Sequence, residues 1–163
     1  METLEAIKSR RSVRVFSQQK IEKEKILKIL EAGRFAPSGL NNQPWKFRTA
    51  EDSKTRELLA KETSYGSVIR SAPVAIAVFL DKSAGYERTK DVLAVGACIQ
   101  NMLLAAHALG LGGCWLGEIL KNKDNVNGIL SIPEDCELMA VIALGYGTSK
   151  EKPERKRLEE LML

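Results

Sequence analysis

Apolar residues at positions 26, 29, 30 and 35 recur at helical spacing among lysines and glutamates, so the pattern predicts an amphipathic helix over Ile21–Phe35 with one core face. It should end before Ala36-Pro37-Ser38-Gly39, where proline and glycine disfavour continuation. A shorter helical pattern covers Thr3–Ser9, and Asp52–Glu62 reads as a surface helix. Pro44–Thr49 alternates apolar and polar, the pattern of a half-buried strand. Val74–Leu80 and Leu138–Leu144 are instead continuous apolar runs, as expected of strands buried on both faces. The second run closes at Gly145-Tyr146-Gly147.

Between these runs lies the longest helical pattern, Tyr86 to Leu109. From Val92 onward it is apolar almost all the way round, with small residues at Ala94, Gly96, Ala97, Ala105 and Ala106. A helix apolar on every side needs cover on every side. Either a second subunit supplies it, or the helix is the central core helix of a monomer. Strands and helices alternate without a repeated strand–helix rhythm, which predicts an α+β sandwich with helices on both faces of a sheet. No repeat, linker or low-complexity segment divides the chain, so residues 1–163 read as one domain.

Composition narrows the class. A chain near this length buries roughly 68–70 % of its unfolded surface, enough for a core without disulfides or metal. The N-terminal residues do not resemble a signal peptide, and the apolar stretches are interrupted before the ~18 residues of a membrane span. Three dispersed cysteines, Cys98, Cys114 and Cys136, read as reduced thiols and point to the cytoplasm. The net charge of +4 is unevenly placed: Lys8–Arg14 carries four bases and no acid, and 150–157 carries five bases and two acids. Residues 15–149 nearly balance, with 16 bases and 15 acids. Two compact basic clusters suit a small anion such as a phosphate monoester better than the broad face of a nucleic-acid binder.

Three segments carry candidate chemistry. Arg10-Arg11-Ser12-Val13-Arg14 offers three guanidiniums and a hydroxyl to phosphate oxygens, or is a solvated basic loop. Ala36-Pro37-Ser38-Gly39-Leu40-Asn41-Asn42-Gln43-Pro44-Trp45 sets amide groups between two prolines, suited to the polar edge of a heterocycle or to an ordinary helix-to-strand connection. Gly110-Leu111-Gly112-Gly113-Cys114-Trp115-Leu116-Gly117-Glu118 lets backbone approach a flat ligand, or is a helix cap at Gly110 followed by a short strand. It lacks the spacing of a dinucleotide fingerprint.

Taken together, these segments resemble the nitroreductase family over nearly the whole chain. The matching pieces are Arg10–Arg14, Ala36–Trp45, Gly110–Gly117, Leu144–Gly147 and Arg155–Leu161, with the APSxxNxQPW string the most specific. The resemblance implies an FMN-binding α+β sandwich with a central, mainly antiparallel sheet flanked by helices. It also implies a domain-exchanged homodimer with FMN at the interface. Arg10, Arg11, Ser12 and Arg14 look like the N-terminal phosphate, ribityl and flavin contacts. Pro37, Ser38 and Asn41, from the partner subunit, look like isoalloxazine neighbours. Gly117 and Glu118 fall where such enzymes offer backbone amides near flavin N5. Arg155 with Lys156 or Arg157 looks like a C-terminal phosphate clamp. The proline expected before Leu158 is Arg157 here, which leaves the register between Arg155 and Arg157 open.

The activity so implied is hydride transfer from NADH or NADPH to flavin and then to a nitroaromatic, quinone or similar small acceptor, by a ping-pong route with no protein nucleophile. Leu120–Ile132, where a segment often covers the substrate face, appears shortened. Related chemistries remain open: reductive dehalogenation, flavin remodelling and ring dehydrogenation. Outside the flavin reading stand a nucleic-acid-binding module and a scaffold with a decayed site. The single histidine, His107, is expected in core or interface packing, and Trp45 and Trp115 in the core; no metal site or membrane association is expected.

Overall fold

A computed structural model describes residues 1–147 and 154–163. Its ordered elements are α1 (Thr3–Ser9), α2 (Lys23–Arg34), β1 (Trp45–Ala50), α3 (Ser53–Lys61), α4 (Gly66–Ser71), β2 (Val74–Asp81), α5 (Arg88–Ala108), β3 (Gly112–Leu116), α6 (Lys123–Leu130) and β4 (Cys136–Gly145). The strands form one sheet in the order β1-β2-β4-β3, and every neighbouring pair is antiparallel.

The register explains the two unbroken apolar runs. β2 and β4 are the central strands, so both of their faces need cover. Ile76, Val78, Ile142 and Leu144 point toward the layer built from α2 and α5. Ala75, Ala77, Phe79, Val141 and Ala143 point to the opposite layer, with Leu59 and Ile69 of α3 and α4 and Val126 of α6. A strand sandwiched this way alternates its faces but not its polarity. Edge strand β1 does alternate, because its outer face meets water.

Local chemistry sets the helix limits. Asp52 stands outside α3 and accepts a bond from the Thr55 amide at 2.7 Å, the action of an N-cap. Glu87 caps α5 by accepting from the Thr89 and Lys90 amides, both at 3.0 Å. At the other end Gly110 adopts φ +78°, and the Gly110 and Leu111 amides donate back to His107 and Ala106. That is a Schellman ending, and only a residue tolerant of positive φ closes it without strain.

Helix α5 is less enclosed than its composition predicts. It packs on α2 where Gly33 leaves no room for a side chain: a Cβ there would lie 2.8 Å from Met102 and 3.0 Å from Cys98. On its other flank Leu93 is 68 % exposed. By length and hydropathy alone α5 would also pass for a membrane span, but 44 % of its apolar window is buried inside the fold. The shortened Leu120–Ile132 stretch is itself ordered, as a 3-10 turn over Glu118–Asn122 followed by α6.

Candidate functional site

The N-terminal basic segment is held in extended form beside the sheet. Ser12 bridges in parallel to Gly113, and the Val13 amide donates to the Gly113 carbonyl at 3.0 Å. Farther along, Phe16 bridges to Gly147 and the Ser17 amide donates to the Tyr146 carbonyl at 2.9 Å. This pairing and the packing around it explain several glycines. A Cβ at Gly112 would sit 2.6 Å from Val13, one at Gly147 2.8 Å from Val13, and one at Gly113 2.8 Å from Leu103. These three make room for the protein's own side chains; for Gly112 and Gly113 that favours the alternative of a short strand over close approach of a flat ligand. Gly117 differs: a Cβ there would meet nothing within 4 Å, so its backbone borders open space.

The arginines divide by partner. Arg11 turns back on α1 and donates to the Lys8 and Arg10 carbonyls at 2.6 and 2.8 Å, satisfying the end of that helix. Arg10 Nε, by contrast, is buried without a hydrogen-bond partner among the described residues. Burial, then the neighbouring Arg155 and Arg11 charges, hold its guanidinium below the ordinary arginine range. The two basic clusters, at opposite ends of the sequence, therefore meet in space through Arg10 and Arg155. Arg157 is engaged elsewhere, with Glu160 at 3.5 Å, where it opens the turn Leu158–Leu161. Arg14 is exposed. Of the basic segment 150–157, residues 150–153 lie outside the described residues.

Such a gathering of like charge is unfavourable unless an anion completes it, because a buried donor left unpaired costs about 1–3 kcal/mol and more when charged. Arg10 and Arg155 thus have the chemistry of a phosphate seat. His107, expected only to pack, adjoins it. Its Nε2 lies 2.7 Å from Ser9 Oγ, whose hydroxyl donates to the Glu5 carbonyl at 2.6 Å. With that proton committed, Ser9 accepts from His107, which pins α1 and the arginines to the last turn of α5. Burial, followed by the Arg10 and Arg11 charges, lowers the His107 pKa. Position in sequence could not reveal this, since Ser9 and His107 are 98 residues apart.

The Glu118 carboxylate is held by the α3–α4 connection. It accepts from Thr63 Oγ1 at 2.6 Å, the Ser64 amide at 3.0 Å and Ser64 Oγ at 3.1 Å, and pairs with Lys121. Lys121 first, then Thr63 and Ser64, hold its pKa down to about 2. The Glu118 amide leads a 3-10 turn and so has no acceptor within it.

The Ala36–Trp45 segment is a strained loop. Leu40, Asn41 and Gln43 all take left-handed φ, at 54°, 55° and 50°. A non-glycine residue there costs about 1–2 kcal/mol, so the surroundings must impose the shape. Ser38 Oγ accepts from the Gln43 amide at 3.0 Å, and Asn42 Nδ2 donates to the Ala84 carbonyl and to Asp91. The tip projects outward, with Leu40 85 % exposed and Asn41 exposed. Pro37, Ser38 and Gly39 border an open apolar cleft with Tyr86, Leu93 and Ala97.

The loop and the Arg10 region lie at opposite ends of α5. Leu93 marks one and His107 the other, 14 residues or about 21 Å along the axis. Trp45 is buried as expected, but Trp115 is corrected: β3 is an edge strand, and the indole is 43 % exposed above Gly96.

The fold is an antiparallel α+β sandwich that brings Arg10 into the field of Arg155 and projects a strained loop. Comparison with known proteins supplies its family. The model of the nitroreductase family matches residues 7–64 and 48–146. A protein of Methanothermobacter thermautotrophicus, provisionally named NADH dehydrogenase/NAD(P)H nitroreductase, is 40 % identical over 149 residues, covering 90 % of this chain and 78 % of its own length. A crystal structure from Desulfovibrio desulfuricans, provisionally named a nitroreductase and solved with FMN, superposes with a TM-score of 0.95 at 43 % identity. That superposition covers 100 % of this chain and 97 % of the other. An iodotyrosine deiodinase of Thermotoga neapolitana is 28 % identical over 180 residues, covering 95 % of this chain and 93 % of its own length. The chain belongs to the nitroreductase family.

Proposed function

We propose that this chain is an FMN-dependent oxidoreductase that takes hydride from NADH or NADPH and reduces nitroaromatic, quinone or similar small acceptors by a ping-pong mechanism. It acts as one flavin-binding domain per subunit of a homodimer, with FMN at the interface. The observation that carries the reading is half-buried Arg10, whose buried Nε has no partner among the described residues and which stands in the field of Arg155, in a member of this family. Its relative from Desulfovibrio desulfuricans is an FMN complex.

In this reading Arg10 and Arg155 bind the 5′-phosphate, with Arg11 and Ser12 completing the N-terminal side and Arg157 steadying the segment through Glu160. Arg14 lies in the same extended segment and offers positive charge to the N1–O2 edge of the ring system. Gly117 supplies an approach without a side chain, and the amides of Gly117 and Glu118 face N5. Pro37, Ser38 and Asn41 come from the partner subunit, consistent with their distance from the phosphate seat in their own protomer. When bound, FMN accepts hydride from the nicotinamide and passes the electrons to the acceptor. No acidic or nucleophilic side chain is asked to enter the reaction. Three buried thiols suit a reducing compartment such as the cytoplasm. The deiodinase relative makes reductive dehalogenation the second reading.

Absorption of the purified protein, followed by anaerobic NADH or NADPH, tests the proposal. The oxidised flavin bands should be present and should bleach. Arg10→Ala should weaken FMN about 10- to 100-fold, the value of a lost charge-assisted hydrogen bond. A wild-type protein that neither carries nor takes up FMN would end this reading. Bleaching with turnover of iodotyrosine but not of quinones or nitroaromatics would move it to the dehalogenase.

A further inference from the structure

Asp91 is a buried carboxylate without a cation partner among the hydrogen bonds and ion pairs of the described residues, and it is 3 % exposed. Helix capping does not account for it, since Glu87 already caps α5 at Thr89 and Lys90. Its three bonds lead elsewhere. Oδ1 accepts from Asn42 Nδ2 at 2.7 Å, and Oδ2 accepts from the Tyr86 and Glu87 amides at 3.0 and 3.2 Å.

Both routes end on the strained loop. Asn42 sits inside it, between left-handed Asn41 and Gln43. Tyr86 reaches it from outside: a Cβ on Gly39 would lie 1.9 Å from the Tyr86 hydroxyl, so the loop's leading turn rests on that side chain. The turn before α5 is itself packed on the carboxylate, with Gly85 allowing a Cβ no nearer than 2.9 Å from Oδ2. One carboxylate therefore fixes the loop at two points, and the loop carries Pro37, Ser38 and Asn41.

We propose that Asp91 is a positioning residue for the flavin. Through Asn42 and Tyr86 it imposes the conformation in which residues 37–43 meet the ring system. The inference rests on the flavin reading above. A carboxylate suits the task because it accepts several bonds and donates none, so the Asn42 amide and both backbone amides orient around it in one arrangement.

The test compares wild type, Asn42→Ala and Asp91→Asn, with Asp52→Ala as a control for lost stability far from the loop. FMN affinity by fluorescence titration, visible circular dichroism of bound flavin and apo-protein Tm are read for each. Asn42→Ala leaves Asp91 bonded to both backbone amides, so its Tm should fall less than that of Asp91→Asn. Its FMN affinity should fall roughly tenfold, as for loss of one hydrogen bond to a charged group, and the flavin dichroism should change. Asp91→Asn should show the same flavin effects with a lower Tm. Asp52→Ala should lower Tm and leave flavin dichroism intact. Should Asp91→Asn fail to fold, Asn42→Ala still decides. Wild-type affinity and dichroism in Asn42→Ala overturn this inference alone. Absence of FMN binding in the wild type overturns the flavin reading and this inference with it.

Discussion

Glu118 shows how one side chain ties two distant connections together. Its carboxylate joins the turn after β3 to Thr63 and Ser64 of the α3–α4 connection, and Lys121 pairs with it. These partners stabilise the charged form, so the folded pKa, about 2, lies below the unfolded value. A depressed carboxylate pKa contributes stability above the unfolded value, and that contribution is lost as pH falls through the folded one. The stability difference between wild type and Glu118→Gln should therefore be constant near neutral pH. It should shrink as pH falls from about 4.5 toward about 2. Urea denaturation at a series of pH values checks this, and a difference that grows in acid would refute it. The sequence marks Glu118 only for its backbone; nothing in the spacing links it to Thr63, 55 residues earlier.

At the scale of elements, the contact between α2 and α5 depends on one glycine. Gly33 faces Met102 and Cys98 at distances that leave no space for a branched side chain. Gly33→Val should overpack this contact and cost about 1–3 kcal/mol, lowering Tm by several degrees; calorimetry reads it directly. Helix α5 was legible in the sequence because 21 residues of consistent character outweigh local noise. Both central strands were legible for the same reason, their polarity being uniform. By contrast α4 (Gly66–Ser71) and α6 (Lys123–Leu130) were not, since each is short and rich in residues of weak helix propensity. Only packing of Val68, Ile69, Val126 and Leu130 against the sheet makes them helices.

On the scale of the molecule, the exposed apolar surface runs from Leu4 and Ile7 of α1 to Leu93 of α5, Trp115 of β3 and the terminal Leu158 and Leu161. In the proposed homodimer Leu93, which lies beside the Pro37–Gly39 loop, would be covered by the partner. Leu93→Glu should therefore shift sedimentation from dimer toward monomer and weaken FMN binding in parallel. A variant that becomes monomeric yet keeps wild-type FMN affinity would show that the site is complete within one subunit.

What the amino-acid sequence determined by itself is the inventory and its periodicity: the long helix, the two buried strands, the arginine clusters and the APSGLNNQPW segment. Those features are local, expressed in the spacing of neighbouring residues, and the family follows from their order. Tertiary structure alone decided which arginines meet. Arg10 and Arg155 are 145 positions apart, yet each stands in the other's field, whereas Arg11 and Arg157 spend their donors locally. It also assigned the glycines, giving Gly112, Gly113 and Gly147 to the packing of Val13 and Leu103 and leaving Gly117 open. The reason is the same in each case. A charge or a missing Cβ has meaning only through the atoms opposite it, and the folded chain, not the spacing of residues, brings those atoms into range.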